Sequence, residues 1–282
     1  MGRTRRCIAA GSTVAALVLV SACGSGDEGT TAGGDAKVAA VIKGLDNPFF
    51  QSMEAGINDQ ATTSGTTVTV QAANSISDTT GQADKLTGLA GQDFGCYIVN
   101  PISGTNLIQG IAQLAAQKKT IVNIDSPVDA EAAKAAGATP ATYIGTNNVS
   151  AGQKAGEQML TLLPGGGKVA AIGGTAGDVT SGARVEGFST AVTGKLDLVQ
   201  TVAANWERQE ALTQATNILR AQPDLAGFFV ANDDMGLGVA RAVATAGKTG
   251  QVMRAGRCAG GRRTEETSGE EIVALITGAK NG

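Results

Sequence analysis

"KVAAVIKGLDNPFF", residues 37–50, carries an apolar run straight into a polar turn and then into two adjacent phenylalanines. The stretch from Val38 to Ile42 has no polar alternation, which is the pattern of a strand covered on both faces. Asn47 is a good N-cap. Pro48 suits the first helical position, where its fixed φ and missing N–H cost nothing. A buried strand followed at once by a capped helix is the repeating unit of a parallel α/β sheet. In the helix, Phe50, Met53, Ile57 and Ala61 recur at helical spacing and form the expected core stripe. Phe49 lies about 100° round from that stripe, so it is expected to face the crevice at the helix mouth. Only 3% of the chain is aromatic, which makes the adjacent pair informative.

The same unit recurs along the chain. Further strands are expected at 66–72, 96–101, 120–125, 141–146, 168–174, 198–204 and 226–232. The intervening helices are expected at 48–63, 78–91, 104–117, 148–163, 207–221 and 234–246. This is an α/β protein, and its element count suits two sheets better than one. Open parallel sheets bind ligands beyond the carboxyl ends of their strands. Polar segments stand there repeatedly: "DNPFF" after the first strand, "NPISGTN" after the third, "DSP" after the fourth and "NDD" after "FFVA".

The amino terminus reads as an export signal. Arg3, Arg5 and Arg6 precede an apolar stretch from Ile8 to Val20 that is short for a bilayer span, and "LVSAC" follows. Ser21 and Ala22 before Cys23 resemble the lipobox of bacterial lipoproteins, which implies lipidation of Cys23 and anchorage to the outer face of a membrane. Residues 24–36, after Cys23, hold no apolar side chain larger than alanine, and 23–36 are expected to form a flexible tether. Without residues 1–22 the chain keeps 19 basic against 25 acidic residues, a net charge of −6. No basic patch for nucleic acid is visible. Cys96 lies in an apolar run and reads as a small buried hydrophobe.

The chain has no histidine, which removes the commonest general base and metal ligand. "PGGGKVA" (164–170) has Val169 where a phosphate loop needs Ser or Thr, and "GGTAGDVTSG" (173–182) fails G-x-G-x-x-G, so both read as turns. No nucleophile and base pair suggests itself. The chain is expected to be no enzyme and to need no cofactor and no metal.

"DNPFF", "IVNP", "NID", "ARVEGF" and "ANDDMGLG", in this order and spacing, resemble the periplasmic binding proteins for ribose and related monosaccharides, the receptors of ABC importers. The resemblance covers roughly residues 37–252. It implies two Rossmann-like lobes with parallel sheets, joined by a hinge, that close on one sugar. The implied lobes are 37–145 and 146–252, followed by an atypical tail at 253–282. Carried over position by position, the resemblance assigns Asn47 to a hydroxyl and Phe49 and Phe50 to the sugar faces. It assigns Asn100 and Asp125 to the first lobe's hydroxyl contacts, and Arg184, Trp206 and Asn232 to the second lobe's. The chemistry suits a monosaccharide, whose C–H faces take aromatic rings while amides, carboxylates and guanidinium take its hydroxyls.

Two departures stand out. Ribose binders commonly place arginine after the fourth-strand aspartate, whereas this chain has Ser126, so a ribose-like pentose, a hexose or a polyol all fit the pattern. Lys43, before the aromatic loop, is a further polar candidate of unassigned role. After "TAGKTGQV" the family continues into an apolar strand and a "G-x-D-G" turn. Here Arg254, Arg257, Arg262 and Arg263 crowd together, which marks an aberrant or truncated carboxyl end. A second sheet short of strands, and a pocket short of partners, are expected to lower stability and leave sugar binding weak or absent. The implied role is that of a monomeric lipoprotein that hands a monosaccharide to an ABC permease in the membrane. The alternative is a sensor lipoprotein that feeds a chemoreceptor or kinase. A lac-repressor-type regulator would need a DNA-binding helix-turn-helix where the export signal stands.

Overall fold

The computed structural model describes residues 37–256. The signal (1–22), the tether with Cys23 (23–36) and the tail from Arg257 onward lie outside the described residues. Strand and helix alternate throughout. The first half holds β1 (Val38–Ile42), α1 (Pro48–Ser64), β2 (Val68–Ala72), α2 (Thr79–Ala90), β3 (Cys96–Val99), α3 (Ile108–Ala116), β4 (Thr120–Ile124), α4 (Ala130–Ala136) and β5 (Thr142–Ile144). The second holds α5 (Asn148–Leu162), β6 (Lys168–Gly173), α6 (Val179–Val192), β7 (Asp197–Ala203), α7 (Arg208–Ala221), β8 (Leu225–Val230), α8 (Asp233–Thr245) and β9 (Met253–Gly256).

These strands form two sheets, ordered β2-β1-β3-β4-β5 and β7-β6-β8-β9, and every pairing is parallel. Each sheet has its own core, so each half is a lobe. Under the first lie Leu86, Tyr97, Val99, Leu107, Ile111 and Leu114. Under the second, Phe188 stacks on Phe229 with ring centroids 4.5 Å apart, among Met159, Ile172 and Phe228. All described residues belong to one compact unit. Among them the chain passes from one sheet to the other once, between β5 and α5.

Register places the site. Val41 pairs with Val99, Val99 with Asn123, and Ile124 with Ile144. Lys43, Asn100 and Asp125 therefore leave the first sheet along one edge. In the second sheet Ile172 pairs with both Val202 and Val230, so Gly174 and Ala231 leave it together. This is the carboxyl edge where open parallel sheets take ligands.

Local chemistry starts the helices as the sequence suggests. Asn47, Asp78, Asp129, Asn147, Asp178 and Asn232 each cap a helix by accepting a backbone N–H in its first turn. Several expectations need correction. α3 begins at Ile108, because Ser103 and Asn106 close a turn ahead of it: the Ser103 N–H donates to Asn106 Oδ1 at 3.0 Å and the Asn106 N–H to Ser103 Oγ at 3.1 Å. The glycine-rich stretch 173–182 is a turn only to Asp178. There the Asp178 carboxylate accepts from the Ser181 N–H at 2.7 Å and opens α6, overriding the low helix propensity of Gly182. Of the proposed α1 stripe only Phe50 is buried, while Met53, Ile57 and Ala61 are half-buried. Residues 253–256 add a strand beside β8, carrying the second lobe four residues past the boundary drawn at Val252.

Candidate functional site

The loop between β1 and α1 forms the floor of the first lobe's share. Asn47 is buried, and its Oδ1 accepts from the Phe49 N–H at 3.0 Å, so its carbonyl is committed to the cap. Phe49 and Phe50 meet edge to face with centroids 5.2 Å apart, but their exposures diverge at 41% and 9%. Phe49 presents its ring to the outside of the helix mouth. Phe50 turns inward, where the Lys43 ammonium stands 5.6 Å from its centroid. Lys43 is itself buried and donates to Ser126 Oγ at 2.7 Å. Loss of hydration pushes the Lys43 ammonium down from 10.5; Asp178 and Asp125 oppose that shift by attraction, and Arg184 adds to it by repulsion. The lysine is thus attracted by carboxylates of both lobes.

Asn100 and Asp125 leave the next two strands. Asn100 is fully buried; its Nδ2 reaches the Met53 sulfur at 3.4 Å, and its Oδ1 has no hydrogen-bond partner. Asp125 occupies the left-handed region at φ 58°, which is uncommon for a residue other than glycine. Its backbone is clamped on both sides: its N–H donates to the Ile144 carbonyl at 2.9 Å, and its own carbonyl accepts from the Tyr143 hydroxyl at 2.7 Å. Burial, followed by the charge of Asp125, pushes the Tyr143 phenol up.

Two buried amides that the sequence reading did not single out hold these loops. Gln82 donates to the Asn100 carbonyl at 2.9 Å, while its Oε1 accepts from the Ile102 N–H at 3.0 Å and from Asn106 Nδ2 at 2.8 Å. Asn123 donates to the Val99 and Ser126 carbonyls and accepts from the Val128 N–H. The only sequence signal for Gln82 is that it stands on the face of α2 that carries Leu86 and Leu89, where an apolar residue belongs.

In the second lobe Arg184 is buried, donating from Nε to Asn148 Oδ1 at 2.8 Å and from Nη1 to the Ala231 carbonyl at 2.8 Å. It lies 5.6 Å from the centroid of the Trp206 ring. Asn205 and Trp206 both adopt positive φ, 47° and 65°. That turn lays the indole on Gly174, where a Cβ would fall 2.1 Å from a ring carbon. Glycine is required there because the ring occupies the space of any side chain. Asn232 Oδ1 accepts from the Met235 N–H at 2.9 Å and caps α8, and its Nδ2 makes no hydrogen bond among the described residues. Asn148, the partner of Arg184, was also missed by sequence reading.

The two sets face each other. Lys43 of the first lobe is within electrostatic reach of Asp178 and Arg184 of the second, and Tyr143 of Arg184. A Cβ on Gly104, in the loop after β3, would lie 3.3 Å from the Val179 side chain at the start of α6. At the rim, burial raises the Glu207 carboxyl, and the negative charges of Asp46, Glu210 and Asp234 raise it further. Among the described residues no group of three or more His, Cys, Asp or Glu could hold a metal ion. The crevice therefore offers an exposed aromatic face, an indole, a carboxylate, two cations and amide tips. That inventory suits a compact uncharged molecule with both C–H faces and hydroxyls.

Residues 38–267 match the model of the periplasmic binding protein domain. The D-allose-binding periplasmic protein of Escherichia coli K12 is 36% identical over 230 residues, 80% of this chain and 74% of that protein. The ribose import binding protein of Bacillus subtilis is 29% identical over 207 residues, 73% of this chain and 65% of that protein. Among solved structures, a periplasmic solute-binding protein of an ABC transporter from Actinobacillus succinogenes, with bound D-allose, superposes with a TM-score of 0.73 at 29% identity. The match covers 78% of this chain and 77% of that one.

Proposed function

We infer the function from one premise: this chain belongs to the periplasmic binding protein family. It captures a monosaccharide, a ribose-like pentose, a hexose or a polyol, between its two lobes and delivers it to the permease of an ABC importer. Cys23 carries the lipid that keeps the receptor at the outer face of the membrane. Asn47, Phe49, Phe50, Asn100 and Asp125 form the first lobe's share of the ligand site, and Arg184, Trp206 and Asn232 the second's.

One observation supports the reading: polar and aromatic groups stand at the carboxyl edges of both sheets, with Lys43 within electrostatic reach of Asp125 on its own side and of Asp178 and Arg184 on the other, and Gly104 beside Val179. The crevice chemistry supports a neutral ligand. Lys43 and Arg184 donate to the neutral oxygens of Ser126, Asn148 and Ala231, and Asp178 and Asp125 attract Lys43, which suits a hydroxyl-bearing ligand. The named ligands of the relatives, D-allose and ribose, support the same class. Capture needs the lobes to close on the ring, so that aromatic faces exclude water and strengthen each hydroxyl contact. The test is thermal unfolding of the purified chain against D-allose, D-ribose, D-fructose and uncharged polyols, each taken to high concentration. Because the atypical carboxyl end leaves the second lobe short of partners, a small upward shift with at least one of them, at the highest concentrations, is expected. No shift with any of them would overturn the assignment.

A further inference from the structure

We propose that Thr180 is a ligand-contacting residue of the second lobe, its hydroxyl exchanging a hydrogen bond with a hydroxyl of the captured monosaccharide beside Arg184. The assignment rests on the monosaccharide reading above. Thr180 is the second residue of α6 and is 5% exposed, yet its Oγ1 has no hydrogen-bond partner. A buried hydroxyl without a partner is costly, and native structures rarely keep one unless something else fills the vacancy.

Its neighbours are all engaged. Asp178 accepts the Ser181 N–H, and Ser181 Oγ accepts the Gly174 N–H at 2.8 Å. Of these side chains, the Thr180 hydroxyl alone is left over.

Position points the same way. Residues four apart share one face of a helix, so Thr180 stands one turn toward the mouth of α6 from Arg184, on the side that carries the buried guanidinium. That mouth meets the first lobe, because Asp178 lies within electrostatic reach of Lys43 and the Val179 side chain approaches Gly104. The first lobe presents a matching orphan in Asn100 Oδ1, also buried and unpartnered. An acceptor left over on each side of the crevice fits a ligand that carries hydroxyls on opposite edges.

The full chain, Thr180→Val and Thr180→Ser are titrated calorimetrically with D-allose and with D-ribose, and each protein's unfolding midpoint is measured without sugar. Valine keeps the shape and removes the hydroxyl. It should weaken binding by about 5- to 100-fold without lowering the midpoint of the unliganded chain. Serine, which keeps the hydroxyl, should bind within about threefold of the parent. Should valine disturb folding, Thr180→Ala must show the same loss of affinity. If the parent binds and the valine or alanine variant matches it, the Thr180 assignment fails while the sugar reading stands. If the parent binds neither of these sugars nor the D-fructose and polyols named above, both fall together.

Discussion

The guanidinium of Arg184 lies 5.6 Å from the centroid of the Trp206 ring, and the same ring packs against Gly174. The indole touches both a cation and a bare backbone, at the end of a two-residue left-handed turn. Such backbone strain persists where the surroundings over-determine it, and binding sites are where it clusters.

Trp206 is the only tryptophan, so its emission reports this site alone. Gly174→Ala places a methyl where the ring sits and must expel the indole toward water. The emission maximum should move to longer wavelength and sugar affinity should drop about tenfold or more, because the ring no longer covers the ligand or fixes Arg184. An unchanged spectrum together with unchanged affinity would remove Trp206 from the site.

Gln82 supports the site from behind. Gln82→Leu is close in volume but strands the Asn100 carbonyl and the Ile102 N–H in a buried setting and leaves the Asn106 amide only the Thr79 carbonyl. The expected loss is about 1 to 3 kcal/mol of unfolding free energy, read from the urea midpoint, with affinity falling as the loop that holds Asn100 loosens. A stability within about 0.5 kcal/mol of the parent would show that the loop is held elsewhere.

Alternation of apolar runs with capped helices made the fold legible, because period and capping are local properties. Asn47, Asp125 and Asn232 were legible as strand-end polar residues for the same reason. What escaped the sequence depended on tertiary partners. Gln82 and Asn123 are polar residues at core positions whose hydrogen bonds run to other elements, and nothing nearby in the chain announces those partners. Lys43 was visible but mute, since its meaning comes from Ser126, 83 residues away, and from Asp178 in the other lobe. α6 was hidden because glycines around its first turn mimic a loop, while the cap that starts it is a single aspartate.

Lys43 gives a pH signature. Its folded pKa lies below the ordinary 10.5, with burial as the main cause. Between the lowered value and 10.5 the unfolded chain holds the proton that the folded chain has released, so this group makes stability rise with pH across that window. At lower pH both states are protonated and the cost of the buried charge is felt in full. Lys43→Met removes the term. The difference in unfolding free energy between parent and variant should therefore shift in the parent's favour as pH climbs from neutral toward 10.5. Parallel curves over that range would mean that Lys43 keeps an ordinary pKa.

Gly104 controls how closely the lobes approach. A Cβ there would lie 3.2 Å from the Asp129 Cβ and 3.3 Å from the Val179 side chain, so even alanine is tight and valine must displace one of them. Asp129 cannot retreat, because its carboxylate caps α4 through the Ala132 N–H at 2.8 Å and its own N–H donates to the Gly104 carbonyl at 2.7 Å. Val179 is 39% exposed and belongs to the other lobe, so it is the side that gives way. Gly104→Val should therefore hold the lobes apart by a methyl's width while leaving both cores intact. The unliganded chain should unfold within about 1 kcal/mol of the parent, since neither core is touched. Sugar should dissociate faster with little change in its association rate, as an open trap admits ligand but cannot seal it. Stopped-flow tryptophan fluorescence separates the two rates, and an unaltered dissociation rate would place the closure contact away from Gly104 and Val179.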